Sequence, residues 1–310
     1  MAHLDVRVVN PDRHLSSIIS LAQEVEAVEH HRALADHRWI NLTNQHAESL
    51  DTLVVIDLDT EVVAGILTRS ATNKGLEFEL AIRPSYPYEL VVQELLDQAL
   101  SEPPLLVTQR VSLWIPNPTQ ERDHLYRSLG FHPDREVLQM RRALPVEGLK
   151  RSGRLSFRTF QPGIDEVAWL RVNNRAFEWH PDQGDWDSAT LRERESEPWF
   201  DPAGFFVLDD GTHLQGFCWT KIHHDCQPPV GEIYVIAVDP QDAGKGIGKG
   251  LLAEGLYYLG EVRKLSSIML YVERSNENAQ ALYQSFGFST DHTDRRYVLL
   301  PTKGISPDNQ

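Results

Sequence analysis

Cysteine is almost missing from this 310-residue sequence, which has only Cys218 and Cys226. Two are too few for a disulfide framework, and a reducing cytoplasm fits. No Cys/His cluster stands at ligand spacing, so no metal is expected, and His223-His224 reads as an exposed loop pair. There is no run of 18 apolar residues and no charged-then-apolar leader, which argues against a membrane span or a secretory signal. Positive charge is also short: 30 Lys and Arg face 45 Asp and Glu, a formal charge of −15. Phosphate polymers need a basic face, so nucleic acid is not an expected partner, and a small or cationic substrate is favoured. The length suffices for two domains with ordinary cores.

What is present is organised around GEIYVIAVDPQDAGKGIGKG, Gly231 to Gly250. Ile233 to Val238 form an apolar, β-rich run, and Asp239-Pro240 stops it because proline has no N–H for a ladder. Gly244, Gly246, Gly248 and Gly250 follow, and Leu251, Leu252, Leu256 and Tyr257 begin a helical stripe. A strand, a glycine-rich turn and a helix N-terminus make an anion site, with free N–H groups and the helix dipole aimed at one place. The dinucleotide spacing G-x-G-x-x-G and the Walker Gly-Lys-Ser/Thr are both absent. Downstream, the strand Ile268 to Val272 leads through Ser275-Asn276 into a short helix ending at Gly287.

These two stretches resemble the two halves of the acyl-CoA signature of GNAT acetyltransferases. Val238, Pro240, Gly246 and Gly248 fit the first half, where Ala243 replaces the usual Gln or Arg; Asn276, Ala279, Leu282, Tyr283, Gly287 and Phe288 fit the second. The resemblance implies an α/β fold of the α+β, mixed-sheet kind and acetyl-CoA as co-substrate. It places CoA contacts on Ile236, Ala237, Val238, Ala243, Gly244, Lys245, Gly246, Ile247, Gly248 and Lys249, and on Asn276, Glu277, Asn278, Ala279, Gln280 and Ala281. Lys245 or Lys249 would add charge beside the pyrophosphate.

An internal duplication runs through the chain. Gly75 to Pro84 aligns with Gly231 to Pro240 at an offset of 156 residues, and Leu125 to Phe131 with Leu282 to Phe288 at 157. Two agreeing offsets in one order mean two tandem domains: 1–143, a linker at 144–154, and 155–310. After Pro84 the first copy reads Ser-Tyr-Pro-Tyr-Glu-Leu, without one glycine, and Pro87 removes a donor. The chemistry is therefore expected in the second domain, with the first a degenerate copy and no productive CoA site there.

In the second domain, Asn173 to Trp186, with its His-Pro-Asp-Gln-Gly core, Trp199-Phe-Asp-Pro-Ala-Gly204 and Gly216-Phe-Cys-Trp-Thr-Lys221 resemble the mycothiol synthase family. That resemblance implies acetyl transfer from acetyl-CoA to the cysteinyl amine of a cysteinyl–glucosaminyl–inositol thiol; a monomer is expected. The family's substrate contacts fall on Asp182, Lys221, Glu232 and Tyr271, with Asp36 a further candidate.

The chemistry points the same way. An amine must lose a proton before it attacks a thioester, and Glu232, at the start of the central strand, is the candidate base. Backbone N–H groups of Ile236 to Val238 are placed to meet the developing oxyanion, where the resemblance implies that neighbouring strands splay. Tyr283 is the candidate donor to the departing thiolate; a core tyrosine is the alternative role. An acetyltransferase for another amine, or a non-catalytic acyl-CoA sensor, would share the fold and the CoA loop.

Overall fold

The computed structural model describes residues 4–8, 14–29, 33–34, 51–72, 75–101, 110–151, 153, 155–180, 183–224 and 226–300. Asp36 and Asp182 lie outside them. The chain divides into two units, Met1–Glu136 with Thr293–Gln310, and Val137–His292. The divisions fall at 136/137 and 292/293, so the 144–154 stretch expected as a linker lies within the second unit, because β6 pairs with β11 there while β12 pairs with β5 in the first.

In the first unit the strands are β1 (Leu4–Val8), β2 (Asp51–Asp57), β3 (Val62–Thr72), β4 (Gly75–Ile82) and β5 (Val111–Pro116), closed by β12 (Ser289–Leu299). Its helices are α1 (Leu15–Glu29), α2 (Tyr88–Ser101) and α3 (Gln120–Ser128). All pairings are antiparallel except β4 with β5, which run parallel. Alternation in these strands buries Leu53, Val55, Leu67, Phe78 and Leu80 in one cluster with α2 residues Val91, Leu95 and Leu96. The opposite faces bury Val54, Val63 and Ile66 against Ile18, Leu21 and Val25 of α1.

The second unit repeats this plan with β7 (Phe157–Thr159), β8 (Phe205–Asp209), β9 (Leu214–His223), β10 (Val230–Val238), β11 (Ser267–Glu273) and, closing it, β6 (His132–Ala143). Its helices are α4 (Glu166–Ala176), α5 (Ser188–Glu195), α6 (Ile247–Tyr257) and α7 (Glu277–Ser285). Again one pairing is parallel, β10 with β11. Leu251, Leu252 and Leu256 of α6 and Tyr283 of α7 pack on Ile233, Leu270 and Val272. The other face carries Trp169, Phe205, Phe217 and Trp219, with Phe205 and Trp219 stacked at 4.5 Å between centroids. The mixed α/β architecture and the duplication expected from the sequence are thus both present.

Candidate active site

The site begins with the register of the second sheet. Residues directly opposite in a ladder share a face, and alternate residues along a strand return to it. Glu232 stands opposite Lys221 on β9 and Met269 on β11, while Tyr271 stands opposite Gln139 on β6. Lys221, His223, Glu232, Tyr271, Glu273, Gln139 and Arg141 therefore share one face. A polar strip crosses a sheet whose other face is apolar.

The strip is internally bonded. Glu232 is buried, and its Oε2 lies 2.6 Å from Nε2 of His223, which is buried as well. His223 is thus no loop residue: it ends β9, where the ladder pairs it with Val230, and only His224 is exposed. Gln139 Nε2 donates to the Tyr271 hydroxyl at 2.7 Å, and Arg141 Nε donates to Gln139 Oε1 at 2.6 Å. Glu273 lies 3.7 Å from the His180 ring. Lys221 holds its ammonium 4.9 Å from the Trp199 ring centre and 5.8 Å from that of Tyr234, in cation–π range. Burial pushes the Tyr234 phenol up to about 12.

Next to Glu232 the sheet opens. The parallel pairing of β10 with β11 ends at Ile233 opposite Leu270, and a register shift between Ile233 and Val235 inserts Tyr234 as a bulge. β10 then continues to Val238 with β9 alone. The Asp239 N–H bonds back to the Gln215 carbonyl at 2.8 Å. Hydrogen-bonded pairs alternate in an antiparallel ladder, so Ala237 and Val235 turn toward β9 with Asp239. The N–H groups of Ile236 and Val238 turn into the gap.

The glycine turn follows. Gly244 and Gly246 both have φ of +78°, a left-handed conformation that side chains resist, and neither would meet a neighbour within 4 Å if it gained a Cβ. Gly246 caps α6, whose first N–H groups are those of Ile247, Gly248 and Lys249. A Cβ at Gly248 would meet only Val238 Cγ2 at 3.6 Å and Leu282 Cδ2 at 3.8 Å, both ordinary van der Waals contacts. The turn is pinned by Asp242, which bonds Lys245 Nζ at 2.6 Å, His213 Nε2 at 2.8 Å and Gln215 Nε2 at 3.2 Å. Lys245 is therefore engaged by the protein. Lys249 instead lines a cleft of about 480 Å³ with Lys150, Leu149, Gly246, Ser285 and Phe286.

On the apolar side of the gap sits Tyr283, buried, with no hydrogen-bond partner among the described residues. Burial raises its phenol far above the ordinary value, which keeps it protonated. Asn276 accepts from the Ala279 N–H at 3.1 Å and so caps α7, and Gln280 donates to the Arg274 carbonyl at 2.7 Å. Those two side chains shape the loop rather than point away from it. Glu277, Asn278 and Ala281 are exposed on α7.

In the first unit the equivalent gap opens where the β4–β5 pairing ends at Glu79 opposite Trp114. There it is filled. Arg122 forms a bidentate pair with Glu29 at 2.5 and 3.1 Å and lies 4.0 Å over the Tyr88 ring. The space left among Leu80, Ile82, Tyr88 and Arg122 is about 20 Å³, room for one water.

Residues 169–288 match the acetyltransferase (GNAT) family. The chain is 44% identical to a mycothiol acetyltransferase of Acidimicrobium ferrooxidans over 96% of its own length and 97% of that protein's. The chain belongs to the mycothiol acetyltransferase family. A second member, from Salinispora arenicola, is 36% identical over 91% of this chain and 94% of its own. Among solved structures, a tandem GNAT protein from the clavulanic acid biosynthesis pathway superposes with a TM-score of 0.72 at 13% identity, covering 96% and 98% of the two chains.

In two further stretches singled out from the sequence, several described side chains bond within the fold. In Trp199 to Gly204, Asp201 caps a short turn through the Ala203 N–H and binds the Tyr258 hydroxyl and Arg263. A Cβ at Gly204 would lie 2.4 Å from Thr220 Oγ1, so only glycine fits. In the His-Pro-Asp-Gln loop, Asn173 Nδ2 donates to the Gln183 carbonyl and Asn174 Nδ2 to that of Trp186, both at 2.8 Å, which stitches the loop to α4. Reading the sequence singled out Lys221, Glu232 and Tyr271 and missed His223, Gln139, Arg141 and Glu273. The signal for the last three was available: polar residues alternate with apolar ones in Leu138 to Arg141 and Leu270 to Glu273.

Proposed function

We propose that the chain acetylates the cysteinyl amine of the cysteinyl–glucosaminyl–inositol thiol with acetyl-CoA, releasing mycothiol and CoA. Family membership supports the reaction. The observation that carries it is the buried Glu232 carboxylate beside the gap between β10 and β11, on the polar face of the second sheet. The second unit does the chemistry, working as a single chain without a metal, and the first supports it. Among the described residues no helix is long and apolar enough to cross a membrane.

Each step falls to a residue of this unit. The pantetheine arm enters the gap, and the glycine turn with the α6 N-terminus receives the pyrophosphate. Glu232 Oε1 takes the proton from the amine nitrogen, which then attacks the thioester carbon. The Ile236 and Val238 N–H groups face the carbonyl oxygen as it gains charge. As the C–S bond breaks, Tyr283 gives its proton to the departing sulfur, and the second proton that the nitrogen loses on becoming an amide replaces it. Lys221, Tyr271, Gln139, Arg141 and Glu273 meet the hydroxyl-rich acceptor with donors and acceptors, and Asp182 is proposed to join them.

The test is acetyl-CoA consumption by the purified protein with this thiol acceptor and with simple amines. Turnover confined to the thiol acceptor is expected. Turnover with simple amines alone would keep the acetyltransferase and discard the acceptor. No turnover, with a CoA-dependent rise in melting temperature, would make the chain an acyl-CoA sensor.

A further inference from the structure

We infer that His223 is a positioning residue for acetyl transfer: it donates its Nε2–H to Glu232 Oε2 and so presents Oε1 to the incoming amine. The inference rests on Glu232 being the base, and adds the group that aims it.

The geometry is specific. His223 and Glu232 sit diagonally across β9 and β10, on the face that carries Lys221 and Tyr271, with Nε2 and Oε2 2.6 Å apart. Both side chains are more than nine-tenths buried. The imidazole is the one hydrogen-bond partner of that carboxylate among the described residues. A glutamate turns about three bonds, and a buried carboxylate held at neither oxygen would be both costly and poorly aimed. Fixing Oε2 leaves only Oε1 to accept the proton. With the carboxylate as acceptor, Nε2 carries the proton of this bond.

His223 is also placed by the fold rather than by a loop. It is the last residue of β9, and the ladder pairs it with Val230, two residues before Glu232. Base and positioning residue are thereby fixed on adjacent strands just before the bulge at Tyr234 opens the gap. The reacting amine, the base and the thioester then meet at one end of one ladder. An error in the aim of Oε1 should therefore lower turnover without weakening either substrate's hold.

The experiment compares His223→Phe, which keeps a ring without a donor, with His223→Gln, whose side-chain amide can donate from a similar place. Steady-state kinetics for both substrates and melting temperatures are measured on each. His223→Phe is expected to lower kcat about 10- to 100-fold, the worth of one hydrogen bond to a buried charge, with both KM values within about twofold. His223→Gln should recover kcat to within about fivefold of the parent. Unchanged kcat in His223→Phe, or a loss as deep in a folded His223→Gln as in the phenylalanine variant, would overturn the inference. Should His223→Phe not fold, the glutamine variant alone decides, since a loss beyond about tenfold in it refutes positioning by a donor. Glu232→Gln separates the two levels: near-parent turnover in it refutes the base itself, whereas an inactive Glu232→Gln beside a fully active His223→Phe refutes only the role of the histidine.

Discussion

The hydroxyls of Tyr88 and Tyr126 lie 2.8 Å apart in the first unit, whereas Tyr283, the counterpart of Tyr126 in the repeat, has no such partner among the described residues. One phenol is consumed by the fold and the other is left over. The Arg122–Glu29 pair completes the difference by filling the gap beside Tyr88. Calorimetry should accordingly find one acetyl-CoA bound per chain. Two equivalent sites would show that the Arg122 side chain moves aside.

The two tyrosines should also part company on substitution. Tyr283→Phe is expected to reduce kcat about 10- to 100-fold, because the leaving sulfur loses its donor. Tyr126→Phe should leave kcat alone and lower the melting temperature, since it strands the Tyr88 hydroxyl. Equal kinetic effects would mean that both phenols only pack.

Removing the base is the sharper test of chemistry. Glu232→Gln should cut kcat by about two to four orders of magnitude, the usual range for a general base, with acetyl-CoA affinity kept. Lys221→Met and Tyr271→Phe should raise KM for the thiol acceptor and leave KM for acetyl-CoA in place. An effect on acetyl-CoA instead would move those residues out of the acceptor cleft.

The glycine turn can be strained without filling any space. Gly246→Ala faces an empty surrounding, so its cost is the left-handed backbone alone, about 1–2 kcal/mol. It should lower the melting temperature by a few degrees and weaken acetyl-CoA, because the α6 N-terminus shifts. A parent-like affinity would show that the turn does not touch the pyrophosphate.

The same turn should respond to pH. The hydrogen bond to Asp242 raises the His213 imidazole above its ordinary value of 6.5, and the Lys245 ammonium and His213 hold the Asp242 carboxyl below 3.8. The histidine contribution is complete below 6.5 and is lost as pH rises through the raised value. The aspartate contribution is complete above 3.8 and fades as pH falls through the lowered value. Acetyl-CoA affinity should then weaken on the alkaline side of the His213 titration, followed by NMR, and His213→Gln should flatten that limb.

Much of this was legible in the sequence because local chemistry specified it. Glycines with no side chain to place, an Asp-Pro stop, and an Asn cap before Ala279 announce a turn and two helix starts in one dimension. The duplication announced two like units for the same reason. What was not legible is what register creates. His223 looks like half of a histidine pair in a loop until β9 is seen to run to its end, which carries the ring inward to Glu232. Gln139 and Tyr271 lie 132 residues apart and meet only because β6 closes the second sheet. Lys245, chosen for its charge, is claimed by Asp242, a contact that no spacing rule weighs against a phosphate.

The closing strands have a consequence for the order in which the protein is made. β6, at His132–Ala143, leaves the ribosome before any other strand of the second unit, so its ladder with β11 can form as soon as β11 has emerged. The first sheet must wait. One side of β5 is paired by β4, and the other stays an unpaired edge until Asp294 to Leu299 arrive. The half that is synthesised first is therefore finished last, and throughout elongation it exposes a ladder edge of the kind that nascent chains need to have shielded.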